Sequence, residues 1–395
     1  MTSDSSRTAC AKPTPVASLL VRDAGEAGTF FVASAPEVSA TATGAAAEIY
    51  SQIAGTLRRR GLHVVQERIF GSLTSRDAVM AARAKVLLAR GITPDGPITY
   101  IQGNPPCGEG LAGVILHAIA KAGLDEYETI VDGGVPCGRI WRTNGVRFIA
   151  LQNRDGLSGN AGLAEPATAQ VRRIIEQADR LLRQHGASYR DVVRTWFYLR
   201  DILAWYPQFN EARNEKHAEF GLMPSPGDDR LLLPASTAIG AEVTLGAAAV
   251  MDLLAVTGLN RAPSGVKQLH NDFQLDAFRY GSAFSRGACI KGSGCTSIHV
   301  SGTAAIDEHG RSLHPENIWR QIATTLEKVE ALLAPEKAGL RDFVAATVFV
   351  KRPEVAPVFW EMMANRGLPD FPAVCVVADI CRDELLFEID GQVVI

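Results

Sequence analysis

The sequence predicts an α+β chain of two mixed-sheet domains with helices on one face, the first an embellished version of the second. Two observations carry this. The segment QVRRIIEQADRLLRQHGASYRDVVRTWFYLRD, Gln170 to Asp201, aligns without a gap with QIATTLEKVEALLAPEKAGLRDFVAATVFVKR, Gln321 to Arg352, at an offset of 151 residues. Gln170/Gln321, Glu176/Glu327, Leu181/Leu332, Leu182/Leu333, Arg190/Arg341 and Asp191/Asp342 match. Self-similarity at a fixed offset marks a duplicated supersecondary unit. The second observation is a change of period inside each copy, from apolar residues at helical spacing to a β-rich run, VVRTWFYL in one and FVAATVFV in the other.

The remaining elements follow in order. A second helix succeeds each β-rich run, WYPQFNEARNEKHAEFG in the first copy and VAPVFWEMMANRG in the second, and a Pro-Ala pair at Pro234-Ala235 and Pro372-Ala373 leads into another apolar strand. Strand pairs precede each first helix, GRIWRTNGVRFIALQ and SAFSRGACIKGSGCTSIHVSGTAAI, so the repeated unit reads ββαβαββ. Ahead of the first copy lie a helix over 44–60, a strand over 63–70, a helix over 76–90 and strands over 98–102 and 113–119. Residues 1–17 are polar and Pro-containing and read as a flexible tail. The first domain is expected over 18–258, the second over 272–395, and LNRAPSGVKQLHN, Leu259 to Asn271, as the linker.

Bulk properties narrow the partners. The 395-residue chain is 47% hydrophobic, carries a formal charge of −3 and has no basic run beyond Arg58, Arg59 and Arg60, which points away from nucleic acid and anionic membranes and toward a small molecule. No apolar run approaches the length of a membrane span. Seven scattered cysteines without a CxxC pair predict reduced thiols in a cytoplasm. The eight histidines show no ligand spacing, so neither a metal nor a cofactor is expected. GEGLAG, Gly108 to Gly113, matches a dinucleotide fingerprint only weakly, because the following VILHAIA reads as strand rather than helix.

The last strand, LLFEIDG from Leu385 to Gly391, places Glu388 in an apolar run. A solvent-facing edge strand would accommodate it. Aligning Pro372 with Pro234 sets Glu388 opposite Val250, however, so the architecture does not require the acid, and a functional carboxyl of raised pKa is the better reading. Tyr206, Asn210 and Arg213 fall on one helical face, which suits either a ligand wall or a solvated amphipathic helix. Arg200 stands at a strand end, with Lys351 as its counterpart. Arg286 precedes Gly287 on the first strand of the second copy, and Ser236 lies beside the glycine turn of PASTAIG. Several arginines with one apolar carboxyl suit an anionic substrate that must be protonated.

The second copy, with DFPAVCVVADICRDELLFEIDG, resembles the small YjgF/RidA proteins, whose fold is chorismate-mutase-like. The wider chain, with WFYLRDI, WYPQFNEARN, PASTAIG, YGSAFSRG and LLFEIDG in order over about residues 18–395, resembles the chorismatases. That resemblance implies release of pyruvate from chorismate without a metal or cofactor, with Glu388 as the proton donor and the arginines facing the two carboxylates. Val374 stands where the small deaminases carry a substrate-gripping arginine, which weakens an imine or enamine deaminase reading. Gly287 and Cys381 match the aromatising branch, which implies 3-hydroxybenzoate, with 4-hydroxybenzoate as a co-product. Release of the non-aromatic dihydroxycyclohexadiene carboxylate, and a non-catalytic ligand-binding module, remain the alternatives. The smaller relatives are trimers with sites between subunits, so a monomer that supplies its own interface and a trimer both fit.

Overall fold

One order of elements occurs three times along the chain. In the computed structural model, which describes residues 18–35, 41–122, 124–157, 163–223, 233–259, 265–271 and 276–395, the first unit runs β1 (Ser18–Asp23), β2 (Thr29–Ser34), α1 (Ala42–Arg60), β3 (Leu62–Gly71), α2 (Arg76–Ala89), β4 (Thr99–Gln102) and β5 (Leu111–Ala120). The second runs β6 (Glu126–Asp132), β7 (Val135–Thr143), β8 (Val146–Arg154), α3 (Ala167–Gln184), β9 (Val192–Leu199), α4 (Ile202–Glu219), β10 (Ala235–Gly240) and β11 (Ala249–Thr257). The third runs β12 (Val266–Leu269), β13 (Gly287–Lys291), β14 (Thr296–Ala304), α5 (Ile318–Leu333), β15 (Phe343–Val350), α6 (Val355–Asn365), β16 (Ala373–Val377) and β17 (Phe387–Val394). The sheet orders are β1-β2-β5-β3-β4, β10-β9-β11-β8-β7-β6 and β12-β13-β14-β17-β15-β16, so each unit returns its last strand to the sheet centre.

The α+β class with mixed sheets and helices on one face is the expected one. What precedes the duplicated pattern is not an appendage of one sheet, however, but a third sheet with its own pair of helices. Its sequence has drifted too far from the other two copies for an ungapped match. Two further expectations change. Within the expected linker, Val266–Leu269 is a strand paired with β13, and Cys107 is disulfide-bonded while Cys137, Cys289, Cys295, Cys375 and Cys381 are free thiols. Separation in sequence does not bound the distance between cysteines in a fold. The expected tail, 1–17, lies outside the described residues. GEGLAG leads into β5, a strand, and no described helix is long and apolar enough to cross a membrane.

Registers place the three units in correspondence. Thr99, Thr237 and Val374 on the edge strands pair with Arg68, Trp196 and Thr347, and these face Ile115, Asp252 and Asp390 on the last strands. Two residues toward the other end, Gly113, Val250 and Glu388 occupy equivalent positions, opposite Phe70, Tyr198 and Phe349. Each helix pair covers one face of its own sheet with a separate apolar cluster, while the opposite faces meet in a central core that includes Phe30, Ile101, Tyr198, Val250, Phe349 and Val374. Each fully buried Leu, Ile or Phe contributes about 1.5 to 3 kcal/mol of hydrophobic stabilisation.

The residues matched by the duplication are those that join elements. Gln170 accepts from the Ala248 N–H at 2.9 Å and donates to the Glu165 carbonyl at 3.0 Å; Gln321 accepts from the Leu386 N–H at 2.8 Å and donates to the Glu384 carbonyl at 2.7 Å. Asp191 and Asp342 likewise accept from the Ser188 and Gly339 N–H groups, each at 2.8 Å. The glutamines thus hold the chain just ahead of β11 and β17 against the first helix of the unit. Gln321→Leu keeps the volume but strands the buried Leu386 N–H, and is expected to cost about 1 to 3 kcal/mol. Urea denaturation checks this; an unchanged midpoint refutes the clamp.

Candidate active site

β17 lies between β14 and β15, so Glu388 is on a central strand, 4% exposed, and the edge-strand reading of this carboxyl fails. It sits opposite Ala304 on β14 and Phe349 on β15. Gly302 makes room for it: a Cβ there would lie 2.2 Å from Glu388 Oε1. Carboxyl and glycine face a cavity at the junction of the second and third units. Both sides come from one chain, Tyr206, Arg213, Ser236 and Ala238 from the second unit, and Arg286, Gly302, Cys381, Arg382 and Glu388 from the segment that forms the third.

The α4 wall is set by its start. Asp201 takes a left-handed conformation (φ 53°), Trp205 interrupts the helix (φ −149°, ψ 17°), and its indole N–H donates to the Arg200 carbonyl at 2.8 Å. The following turns put Tyr206 and Arg213 on the cavity. Arg213 is 1% exposed, donates to Asn210 Oδ1 at 2.6 Å and lies 4.9 and 5.4 Å from the ring centres of Phe209 and Phe284. A solvated helix face is therefore excluded at this position. Desolvated cation–π contacts of this kind are worth about 2 kcal/mol.

Behind Glu388 lies a buried ion pair. Arg194 Nη2 donates to Asp390 Oδ2 at 2.8 Å, and the same oxygen accepts from Trp196 Nε1 at 3.1 Å and Thr237 Oγ1 at 2.7 Å. Thr237 Oγ1 in turn accepts from Arg194 Nη2 at 2.6 Å and from the Gly302 N–H at 3.0 Å. Burial pulls the Arg194 guanidinium down to about 10, against the pull of Asp390, which leaves it charged near neutrality. Glu388 is pushed up to about 8, first by burial and then by the Asp390 charge, with Arg194 and Arg286 opposing. Burial, then Glu388, drives the Cys381 thiol up to about 12, so it is a neutral weak donor. The cavity thus presents a protonated carboxyl and three guanidinium groups, Arg213, Arg286 and Arg382. Among the described residues no cluster of His, Cys, Asp or Glu is arranged to hold a metal ion.

No family model matches the chain. A 3-hydroxybenzoate synthase of Streptomyces hygroscopicus is 25% identical over 339 residues, which cover 73% of this chain and 93% of the relative. A chorismatase of the same organism is 26% identical over 288 residues, covering 67% and 76%. A chorismatase crystal structure aligns with a TM-score of 0.58 at 21% identity over 84% of this chain and 92% of its own. The chain is similar to chorismatases in sequence and shares their fold.

The fold brings together six of the eight residues singled out from sequence: Glu388, Cys381, Arg286, Arg213, Tyr206 and Ser236. Arg200 is not among them. It lies half-buried in the turn after β9, 3.7 Å from the Asp201 carboxylate, and does not line the cavity. Gly287 does not line the cavity either. Consecutive residues of extended chain face opposite sides, and a Cβ on Gly287 would meet the His299 carbonyl at 3.2 Å and Leu332 at 3.3 Å, away from the cavity. Arg382, Gly302, Arg194 and Asp390 were missed. The duplication held the signal for two of them, since Arg194 aligns with Ala345 and Asp390 repeats as Asp252. Asp390→Asn leaves Arg194 as an uncompensated buried cation and is expected to cost about 3 to 5 kcal/mol in urea denaturation. A loss below about 1 kcal/mol, the level of an exposed pair, contradicts the role given to this contact.

Proposed function

We propose that the cavity binds chorismate and that Glu388 acts as a general acid to release pyruvate from it. The observation that carries this reading is the buried Glu388 carboxyl, protonated near neutral pH, in a cavity with Arg213, Arg286 and Arg382. Chorismate brings two carboxylates, which guanidinium forks match, and an enolpyruvyl group whose methylene carbon accepts a proton. The transfer leaves Glu388 as the carboxylate and an oxocarbenium-like ketal carbon. Addition of water gives a hemiketal that collapses to pyruvate and the ring diol; addition of the neighbouring ring hydroxyl gives a cyclic ketal in which one ring C–O bond breaks as a ring C–H proton is lost, and the resulting hemiketal collapses to pyruvate and the hydroxybenzoate. The names of the two relatives support chorismate as substrate, and both are said of those proteins.

The product we infer is 3-hydroxybenzoate, with 4-hydroxybenzoate as a co-product. The ring then aromatises and no water is consumed overall, since chorismate equals hydroxybenzoate plus pyruvate in atoms. Support comes from the more extensively aligned relative, a 3-hydroxybenzoate synthase, and from the neutral Cys381 thiol beside the acid. Cys381→Ala is expected to keep pyruvate release and shift the organic product toward the non-aromatic dihydrodiol acid, as chromatography against standards reads directly. A wild-type enzyme that releases only the dihydrodiol acid overturns the aromatising assignment and leaves chorismate cleavage standing.

The acid role has a pH signature with a definite sign. Only protonated Glu388 donates, so pyruvate release is expected to fall as pH rises through about 8. Glu388→Gln removes that limb and lowers turnover by about 10² to 10⁴. Because the folded-state value is raised from 4.5 to about 8, the stabilisation linked to this proton is present below about 4.5 and lost as pH rises to about 8. The melting temperature of wild type should therefore decline relative to Glu388→Gln across that window. A lactate-dehydrogenase-coupled pyruvate assay and melting scans read the two effects; turnover of Glu388→Gln within tenfold of wild type removes the residue from the acid role.

A further inference from the structure

A second cavity lies where the three units meet, lined by His117 of the first, Leu254 of the second and Gln392 of the third, which occupy equivalent positions on the three last strands. None of its lining residues belongs to the acid pocket. One wall is aromatic and apolar. Trp141 stacks on Phe148 at 5.1 Å, the ring of His117 meets Trp141 edge-on at 6.0 Å, and Leu254 and Ile290 complete the wall.

Two buried polar side chains stand on the lining, His299 at 2% exposure and Gln66 at 9%. The architecture does not demand the histidine. His299 faces Gln392 across the sheet, and the equivalent positions, facing Leu254 and His117, hold Ala150 and Phe30. Departure from the sister units is the same signal that marks Glu388.

The charge around the cavity is asymmetric. Burial first, and then the Arg194, His117 and Arg68 charges, pull His299 down to about 3 and hold it neutral. A neutral imidazole and an amide each offer an N–H donor there, under a positive field. The only carboxylate among the lining residues is Glu26, which opposes a second negative group on any ligand.

We propose that this axial cavity is a second ligand site, separate from the acid pocket, for a small aromatic monocarboxylate, with its ring against Trp141, Leu254 and Ile290 and its carboxylate on His299 and Gln66. A dicarboxylate is disfavoured by Glu26, so the site selects against a molecule with the charge of chorismate. The inference stands on this cavity alone and not on the cleavage reaction.

Calorimetric titration of benzoate and 3-hydroxybenzoate into the Arg286→Ala/Glu388→Gln protein, whose acid pocket is disabled, tests it. Binding is expected to persist there and to weaken by about tenfold or more when His299→Phe is added, the loss of one charge-assisted hydrogen bond. Benzamide, without the charge, should bind more weakly than benzoate. Phe30 at the equivalent position favours folding of the variant, which a melting scan verifies. If it does not fold, Leu254→Trp, which fills the cavity, takes its place. Absence of binding to the pocket-disabled protein at millimolar ligand overturns the proposal, as does binding indifferent to the folded blocking variant. Pyruvate release by His299→Phe with an intact acid pocket reports on the cleavage reading separately.

Discussion

The contact on which the site depends is the buried pair of Arg194 and Asp390, which ties the second unit to the third at 2.8 Å. Taking both charges out of water is costly, and Asp390 recovers that cost only because Trp196 and Thr237 also donate to it. The same pair bears on the chemistry next door. Burial is the first reason that Glu388 holds its proton, and the charge of Asp390 two residues away, which disfavours a second anion, adds to it. Thr237 passes the constraint to the Gly302 N–H, and the absence of a side chain on Gly302 gives the carboxyl its space.

Three units of one topology create three similar junctions, and the differences among them explain why a site forms at one. Between the first and second units Thr99 donates to Asp252 at 2.6 Å, as Thr237 does to Asp390, but the position of the acid is filled by Val250. Between the third and first units Val374 replaces the threonine, Ile115 the aspartate and Gly113 the glutamate; a Cβ on Gly113 would lie 2.9 Å from the Val374 methyls, so the strands close on each other. One junction is thus sealed, one hydrogen-bonded and apolar, and one carries a proton donor. The axial cavity follows the same logic, with His299 where the sister units place Ala150 and Phe30.

Much of this was legible in the sequence because duplication supplies an internal reference. Gln170/Gln321 and Asp191/Asp342 matched since each clamps backbone in both copies, and Glu388 stood out since Val250 shows what the fold alone requires. The same comparison applied to Arg194 and Ala345 would have found the ion pair. The first unit was illegible as a copy because its helices, α1 and α2, keep the apolar pattern without the clamping residues. Side-chain direction was the other limit. Gly287 and Arg286 are adjacent in sequence but face opposite sides of extended chain, and Arg200 falls in the turn after β9, off the cavity lining. Neither outcome follows from residue type.

The central claim is that Glu388 holds its proton at neutral pH in the free protein, and infrared difference spectroscopy measures that without substrate. The account predicts a carboxylic-acid carbonyl band in wild type that is missing from Glu388→Gln and persists until pH rises through about 8. A band that is gone above about pH 5, as for an ordinary glutamate, contradicts it.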